Sequence, residues 1–199
     1  MSLKIGWVGV GVMGRHMCGH LMAAGHKAAV FSRTASKCAP LVEAGARLAS
    51  SPRDAAEGAD VVFTMVGAPA DVESVTLGED GVLSGLKQGG MLIDCTTSTP
   101  SLASTIAAWS AAQGVVALDA PVSGGDVGAK AAALSIMCGG SAPAMERARP
   151  LLELLGKKEV VLHMGGPGAG QHTKSKSPER QTTCPPLIMR ASRLVTPAM

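Results

Sequence analysis

The sequence predicts a doubly wound α/β domain built on a mostly parallel sheet, followed by a tail of different composition. Three observations carry this reading. Apolar runs of strand length recur along the chain and alternate with helical patterns, the order that winds a parallel sheet with right-handed crossovers. The runs are continuous rather than alternating, as strands covered on both faces require. Glycines and the Ser51-Pro52 pair punctuate the joints between them.

Leu3 to Val10, apolar except for Lys4, is the first and most central strand. Met13, Met17, Leu21 and Ala24 then recur at steps of four, four and three, one stripe of a helix that Gly25 closes. Val30-Phe31-Ser32 ends the second strand. Ser36 reads as the cap of a helix to about Ala44, closed by Gly45, and Ser51-Pro52 opens a short helix to about Gly58. Val61 to Val66 is a buried strand opening onto Gly67-Ala68-Pro69. Met91 to Asp94 is another, followed by Cys95-Thr96-Thr97-Ser98-Thr99-Pro100 and a helix to about Gln113. Val115 to Asp119 and Leu134 to Cys138 are strands, with residues 120 to 133 looping between them. Ser141 caps a helix with Pro143 in its first turn, Pro150 kinks or restarts that helix before Leu155, and Val160 to Leu162 is the last strand. Ligands of such sheets lie beyond the carboxyl ends of the strands, so Met65, Val66, Thr96, Thr97 and the loop from Pro121 should gather around one cleft.

Length and composition narrow the possibilities. The 199 residues suffice for one domain plus a remnant, and 46% apolar against 17% charged residues can bury a core. No run approaches the roughly 18 apolar residues of a membrane span, and the first strand begins almost at Met1, which leads us to expect no leader peptide and a cytoplasmic protein. Cys18, Cys38, Cys95, Cys138 and Cys184 are scattered and read as reduced thiols. Residues 1 to 174 carry 14 Lys/Arg and 14 Asp/Glu, so the net charge of +3 resides in the tail, where Lys176, Arg180, Arg190 and Arg193 face only Glu179. With no basic stripe and only two Phe and two Trp, nucleic acid is not an expected partner. His16 and His20 lie one helical turn apart but have no third ligand nearby in the sequence, so no metal is expected.

The chemistry begins at Gly9-Val10-Gly11-Val12-Met13-Gly14. Gly-x-Gly-x-x-Gly between a strand and a helix is the dinucleotide-binding fingerprint of a Rossmann-type sheet. The first glycine permits the turn, the second admits the pyrophosphate, and the third lets helix approach strand. The helix N-terminus carries unpaired N–H groups and about half a positive charge toward the phosphates. At the end of the second strand a cofactor lacking a 2′-phosphate would want Asp or Glu. Ser32-Arg33-Thr34-Ala35-Ser36-Lys37 offers two cations and three hydroxyls instead. This is either a 2′-phosphate grip favouring NADP(H) over NAD(H) or a solvated loop. Asp119-Ala120-Pro121-Val122-Ser123-Gly124-Gly125 follows a strand and is either a carboxylate cradle or a connecting loop. Gly168-Ala169-Gly170 launches a helix on which Lys174 comes one turn after Gly170. A desolvated lysine can trade a proton with an alcohol during hydride transfer.

The motifs Gly9-x-Gly11-x-Met13-Gly14, Asp119 to Gly125 and Gly168-x-Gly170-x-x-x-Lys174, in this order and spacing, resemble the β-hydroxyacid dehydrogenases, which include 3-hydroxyisobutyrate dehydrogenase and the glyoxylate and succinic semialdehyde reductases. The resemblance covers about residues 3 to 174. It implies an NADP(H)-binding domain over 1–164 and the start of an interdomain helix over 165–174. Gly9, Gly11, Val12, Met13, Gly14, Ser32, Arg33, Thr34, Lys37, Met65, Val66 and Thr97 would hold the cofactor. Ser123, Gly124 and Gly125 would hold a small carboxylate substrate, and Lys174 would be the catalytic acid/base. The chain then departs from the pattern. The family's helix carries Asn one turn past the lysine and runs on into an all-helical lobe that builds the oligomer. Pro178 stands at the Asn position, where proline costs about 3 kcal/mol inside a helix. The basic, Ser/Pro-rich tail 175–199 is therefore expected to be disordered, with the oligomer contacts mostly lost. Lys174 is expected to be exposed with the pKa of a free lysine, and activity to be very low. The alternative is a non-catalytic NADP(H)-binding module.

Overall fold

The computed structural model describes residues 2–176. Of the tail 175–199 expected to be disordered, Ser175 and Lys176 are helical, and 177–199 lie outside these residues. Strand β1 (Lys4–Val8) leads into α1 (Gly14–Ala23), β2 (Lys27–Phe31), a 3₁₀ turn (Ala35–Cys38) with α2 (Ala39–Glu43), β3 (Arg47–Leu48), α3 (Pro52–Ala56) and β4 (Val61–Thr64). Then come α4 (Pro69–Leu77), α5 (Val82–Gly85), β5 (Met91–Asp94), α6 (Pro100–Ala112), β6 (Val116–Asp119), β7 (Val122–Ser123) and α7 (Gly125–Lys130). The described chain closes with β8 (Leu134–Gly139), α8 (Ala142–Leu152), β9 (Gly156–Gly165) and α9 (Ala169–Lys176).

One sheet runs β3-β2-β1-β4-β5-β6-β8-β7, with β9 also on β8. β1 through β6 are mutually parallel, β8 runs against β6 and β7, and β9 is parallel to β8. The fold is the predicted doubly wound, mostly parallel Rossmann-type sheet. Successive side chains of the central strands feed two cores on opposite faces. Ile5, Trp7, Phe63 and Ile93 enter one, and Val8, Val62 and Leu92 enter the other. This two-sided burial is why the strands read as unbroken apolar runs. The direction of winding reverses at β1, with β2 on one side and β4 on the other. That reversal opens a crevice above the carboxyl end of β1.

Several local expectations need correction. Ser36 does not cap a helix: it lies inside the 3₁₀ turn, and the α2 that follows starts at Ala39. Residues 120–133 are not a plain loop but contain β7 and α7, because Gly124 (φ 132) and Gly125 (φ 61) turn the chain directly from strand into helix. α8 neither ends nor restarts at Pro150 but passes through it to Leu152, the missing N–H falling in its last turn. β9 begins four residues before Val160, and Ala24 is exposed rather than part of the α1 stripe. The Ser51 and Ser141 caps form as read, accepting from the N–H of Asp54 and Ala144 respectively.

Trp7 and Phe63, partners in the β1–β4 register, are fully buried and stacked with ring centroids 5.3 Å apart. Phe63→Ala should cost about 3–5 kcal/mol of stability. Urea unfolding followed by tryptophan fluorescence checks this, and a loss below about 1 kcal/mol would contradict the packing described.

Candidate functional site

The crevice above β1 is a cleft of about 350 Å³ bounded by the β1–α1 turn, the end of β2 and the start of α4. Its floor is backbone. A Cβ on Gly9 would lie 2.1 Å from the carbonyl oxygen of Met65, and one on Gly14 would lie 2.0 Å from that of Gly9. Only glycine lets the turn settle onto the end of β4 and α1 settle onto the turn. Gly11 differs: it lines the cleft, and a Cβ there would meet no atom within 4 Å beyond its chain neighbours, so the space beside it is open. The turn is pinned by bonds from Gly9 N–H to Phe31 O (2.8 Å), Trp7 Nε1–H to Gly9 O (3.1 Å) and Met65 N–H to Val8 O (2.9 Å). The first turn of α1 carries no acidic side chain, so its N–H groups and dipole remain favourable to an anion. Backbone, helix terminus and open space thus suit a pyrophosphate. Ser32, Arg33, Thr34 and Lys37 line the far end, joined there by Asp71 from α4.

A second structure stands at the carboxyl ends of β4, β5 and β6, and it locates α9. Asp119, buried at the end of β6, accepts from the N–H groups of Gly168 and Gln171, both at 2.8 Å, and so caps the helix. Gln171, fully buried, donates through Nε2 to Thr96 O (2.7 Å) and accepts at Oε1 from Ser98 N–H (2.8 Å). Thr96 Oγ1 accepts from Val66 N–H (3.0 Å), tying the β5 end to the cleft wall. Asp94, paired with Asp119 in the β5–β6 register, accepts at Oδ1 from Thr64 Oγ1–H (2.7 Å) and Thr96 N–H (3.0 Å). Burial pushes the Asp94 carboxyl up to about 6, the charge of Asp119 adding to a rise that the Thr64 and Thr96 bonds oppose.

One turn beyond Gly170 on α9, Lys174 is half-buried. The expectation of an exposed lysine is therefore corrected: loss of water holds its ammonium below the usual lysine value. The helix also runs two residues past it, to Lys176.

A family profile described as the NAD binding domain of 6-phosphogluconate dehydrogenase matches residues 4–165. The chain belongs to this family. As a 6-phosphogluconate dehydrogenase-type NAD-binding domain it is a nicotinamide-dinucleotide module. Several of its relatives are named as 3-hydroxyisobutyrate dehydrogenases, one of the names in the resemblance drawn from the motifs. It is 53% identical over 174 residues to a protein of Arabidopsis thaliana named as a probable mitochondrial 3-hydroxyisobutyrate dehydrogenase-like 1, covering 87% of this chain and 51% of the relative. It is 43% identical to the NAD-dependent L-serine dehydrogenase of Pseudomonas aeruginosa, covering 86% and 57%. The Mycobacterium tuberculosis 3-hydroxyisobutyrate dehydrogenase solved with L-serine superposes with a TM-score of 0.81 at 34% identity, covering 87% of this chain and 58% of that one. The chain spans about half the length of the curated relatives it matches.

Of the residues picked from sequence, Gly9, Gly11, Val12, Met13, Gly14, Ser32, Arg33, Thr34, Lys37, Met65 and Val66 all line the cleft above β1. Thr97 does not, nor do Thr96 and the loop from Pro121 that were expected around the same cleft; Thr97 is exposed between the anchored Thr96 and Ser98. Ser123 ends β7, and Gly124 and Gly125 turn into α7, beside β8, against which α9 also packs. Asp71, Asp94 and Gln171 escaped the sequence reading. Only Gln171 left a usable signal, a large polar residue directly after Gly168-Ala-Gly170. Cys18, Cys38, Cys95 and Cys138 are buried and unpaired, with Cys18 and Cys138 pushed up to about 12 mainly by burial. Among the described residues no helix is long and apolar enough to cross a membrane, and no three His, Cys, Asp or Glu side chains converge as a metal site.

Asp94 gives a test with a definite sign. Its carboxyl is raised on folding from 3.8 to about 6, so the protonated form stabilises the fold. That contribution is complete below the unfolded value and is lost as pH rises through about 6. The wild type should therefore lose about 3 kcal/mol through this group between pH 3.5 and 7. Asp94→Asn keeps an acceptor at Oδ1 for both bonds and should abolish that part of the slope. Urea midpoints measured across this range for both proteins check it, and parallel curves would contradict it.

Proposed function

We propose that this domain binds NADP(H) in preference to NAD(H) and serves hydride transfer on a small 3-hydroxy acid, semialdehyde or glyoxylate. The observation that carries the reading is the convergence of the glycine fingerprint and the Ser32, Arg33, Thr34, Lys37 set on a single cleft. The backbone from Gly9 to Gly14 would receive the pyrophosphate, Met65 and Val66 would flank the dinucleotide, and Arg33 and Lys37 would answer a 2′-phosphate. When bound, the nicotinamide supplies the hydride donor or acceptor.

The chain's own residues divide the remaining work. Ser123 with the N–H groups of Gly124 and Gly125 would hold the substrate carboxylate, and Thr97 would lie at the nicotinamide side. Lys174 Nζ would give a proton to the nascent alkoxide in reduction and take it back in oxidation. Partial burial suits it to both roles, because it makes the neutral amine accessible at lower pH than for a free lysine. Asp119 and Gln171 position it by fixing the start of α9 to the strand ends. The buried, unpaired thiols favour a reducing compartment.

Titration of the purified chain with both nucleotides tests the cofactor reading: NADPH should bind at least about tenfold more tightly than NADH. No saturable response, or a clear advantage for NADH, would overturn it. NADPH oxidation with glyoxylate or succinic semialdehyde tests the chemistry, and binding without turnover would leave only the non-catalytic module. Lys174→Ala should lower turnover by about 100-fold or more with NADPH affinity unchanged. In the wild type the reduction rate should fall as pH rises through a pKa below 10.5, the ordinary lysine value.

A further inference from the structure

We infer that Asp71 sets how strongly the cleft discriminates between nucleotides, acting as the counter-ion of Arg33 that a 2′-phosphate has to replace. The inference rests on the reading of this cleft as an NADP(H) site and goes beyond it to a residue outside both motifs.

Arg33 and Asp71 come from opposite sides of β1, one following β2 and the other in the first turn of α4. Both line the cleft, and they meet there, Arg33 Nη1 donating to Asp71 Oδ1 at 2.9 Å. The two partners are unequal. The Arg33 side chain is 77% exposed and that of Asp71 only 26%, so the carboxylate is the fixed post and the guanidinium the movable arm. The α4 dipole favours the negative charge where it stands. An exposed pair of this kind is worth little by itself, which makes it easy to exchange.

The consequence follows from charge. Without Asp71 the far end of the cleft would present two cations, Arg33 and Lys37, to a phosphate dianion. With it, one guanidinium N–H is already engaged, and a carboxylate lies close to where the phosphate must go. A bidentate grip by Arg33 therefore requires it to leave Asp71. A nucleotide bearing a 2′-hydroxyl meets no such penalty, because a carboxylate accepts a hydroxyl hydrogen bond. Asp71 thus opposes the phosphorylated nucleotide and tolerates the other, tempering a preference that Arg33 and Lys37 would otherwise make steep.

The test is a set of binding titrations in about 0.1 M salt, where exposed charges still interact over about 10 Å. Asp71→Asn should tighten NADPH about three- to tenfold and change NADH by less than about twofold. Adenosine 2′-phosphate, which probes that end of the cleft alone, should gain by the same factor. The gain should vanish when Arg33→Met is added, as a double-mutant cycle requires for a coupled pair. Should Asp71→Asn lower thermal stability, Asp71→Ser provides the same comparison in a second background. An unchanged ratio of NADPH to NADH affinity in the Asp71 variants, with a wild type that prefers NADPH, would overturn the inference and leave the proposed cofactor intact. A wild type without preference would overturn the proposed cofactor, and a gain for NADPH in Asp71→Asn would still uphold the counter-ion role.

Discussion

The structure depends on one close approach of backbone to backbone. At the end of β1 the chain turns with Gly9 set against the Met65 carbonyl and Gly14 set against the Gly9 carbonyl, at separations no Cβ could occupy. Because nothing stands between them, the turn rests on the end of β4 and α1 starts directly above it. The empty volume over Gly11 and the exposed helix terminus are by-products of that contact. A side chain at either packed glycine would lift α1 from the sheet and remove the anion-binding geometry together with the packing of Met17 and Leu21.

The strand ends beyond this turn show how two buried carboxylates at paired positions serve different purposes. Asp119 meets the N–H groups of Gly168, just before α9, and of Gln171 in its first turn, so it acts as a helix cap. Asp94 meets a hydroxyl and one N–H on a single oxygen and is raised chiefly by burial, toward the neutral acid. Together with Gln171 they connect β4, β5 and β6 to the helix that bears Lys174. The same set of bonds touches the cleft wall through Thr96 and Val66. The lysine is thereby held at a fixed place relative to the cleft above β1.

Much of this was legible in the sequence. The glycine fingerprint and the unbroken apolar runs announce β1, β4 and β5, since both depend on local spacing and two-sided burial. Cleft residues just after β1 and β2 were legible for a related reason: they follow directly on strands that the apolar runs mark. What escaped depends on distant partners. β3 has two residues and exists by pairing with β2, and α7 is a glycine-containing hexamer with weak helical preference of its own. Asp71 is an ordinary helix-start acid until α4 brings it across β1 to Arg33. Lys174 was expected to be exposed for want of a covering lobe, whereas the packing of α9 on this domain's own sheet already removes part of its water.

Hydrogen exchange of the wild-type chain with saturating NADPH, compared with NADH and with no ligand, tests the central claim most directly. Both nucleotides should slow exchange across 9–14 and 65–67, and NADPH alone should add protection across 32–37. Protection confined to other segments, or identical patterns for the two nucleotides, would contradict a cleft built for a phosphorylated dinucleotide.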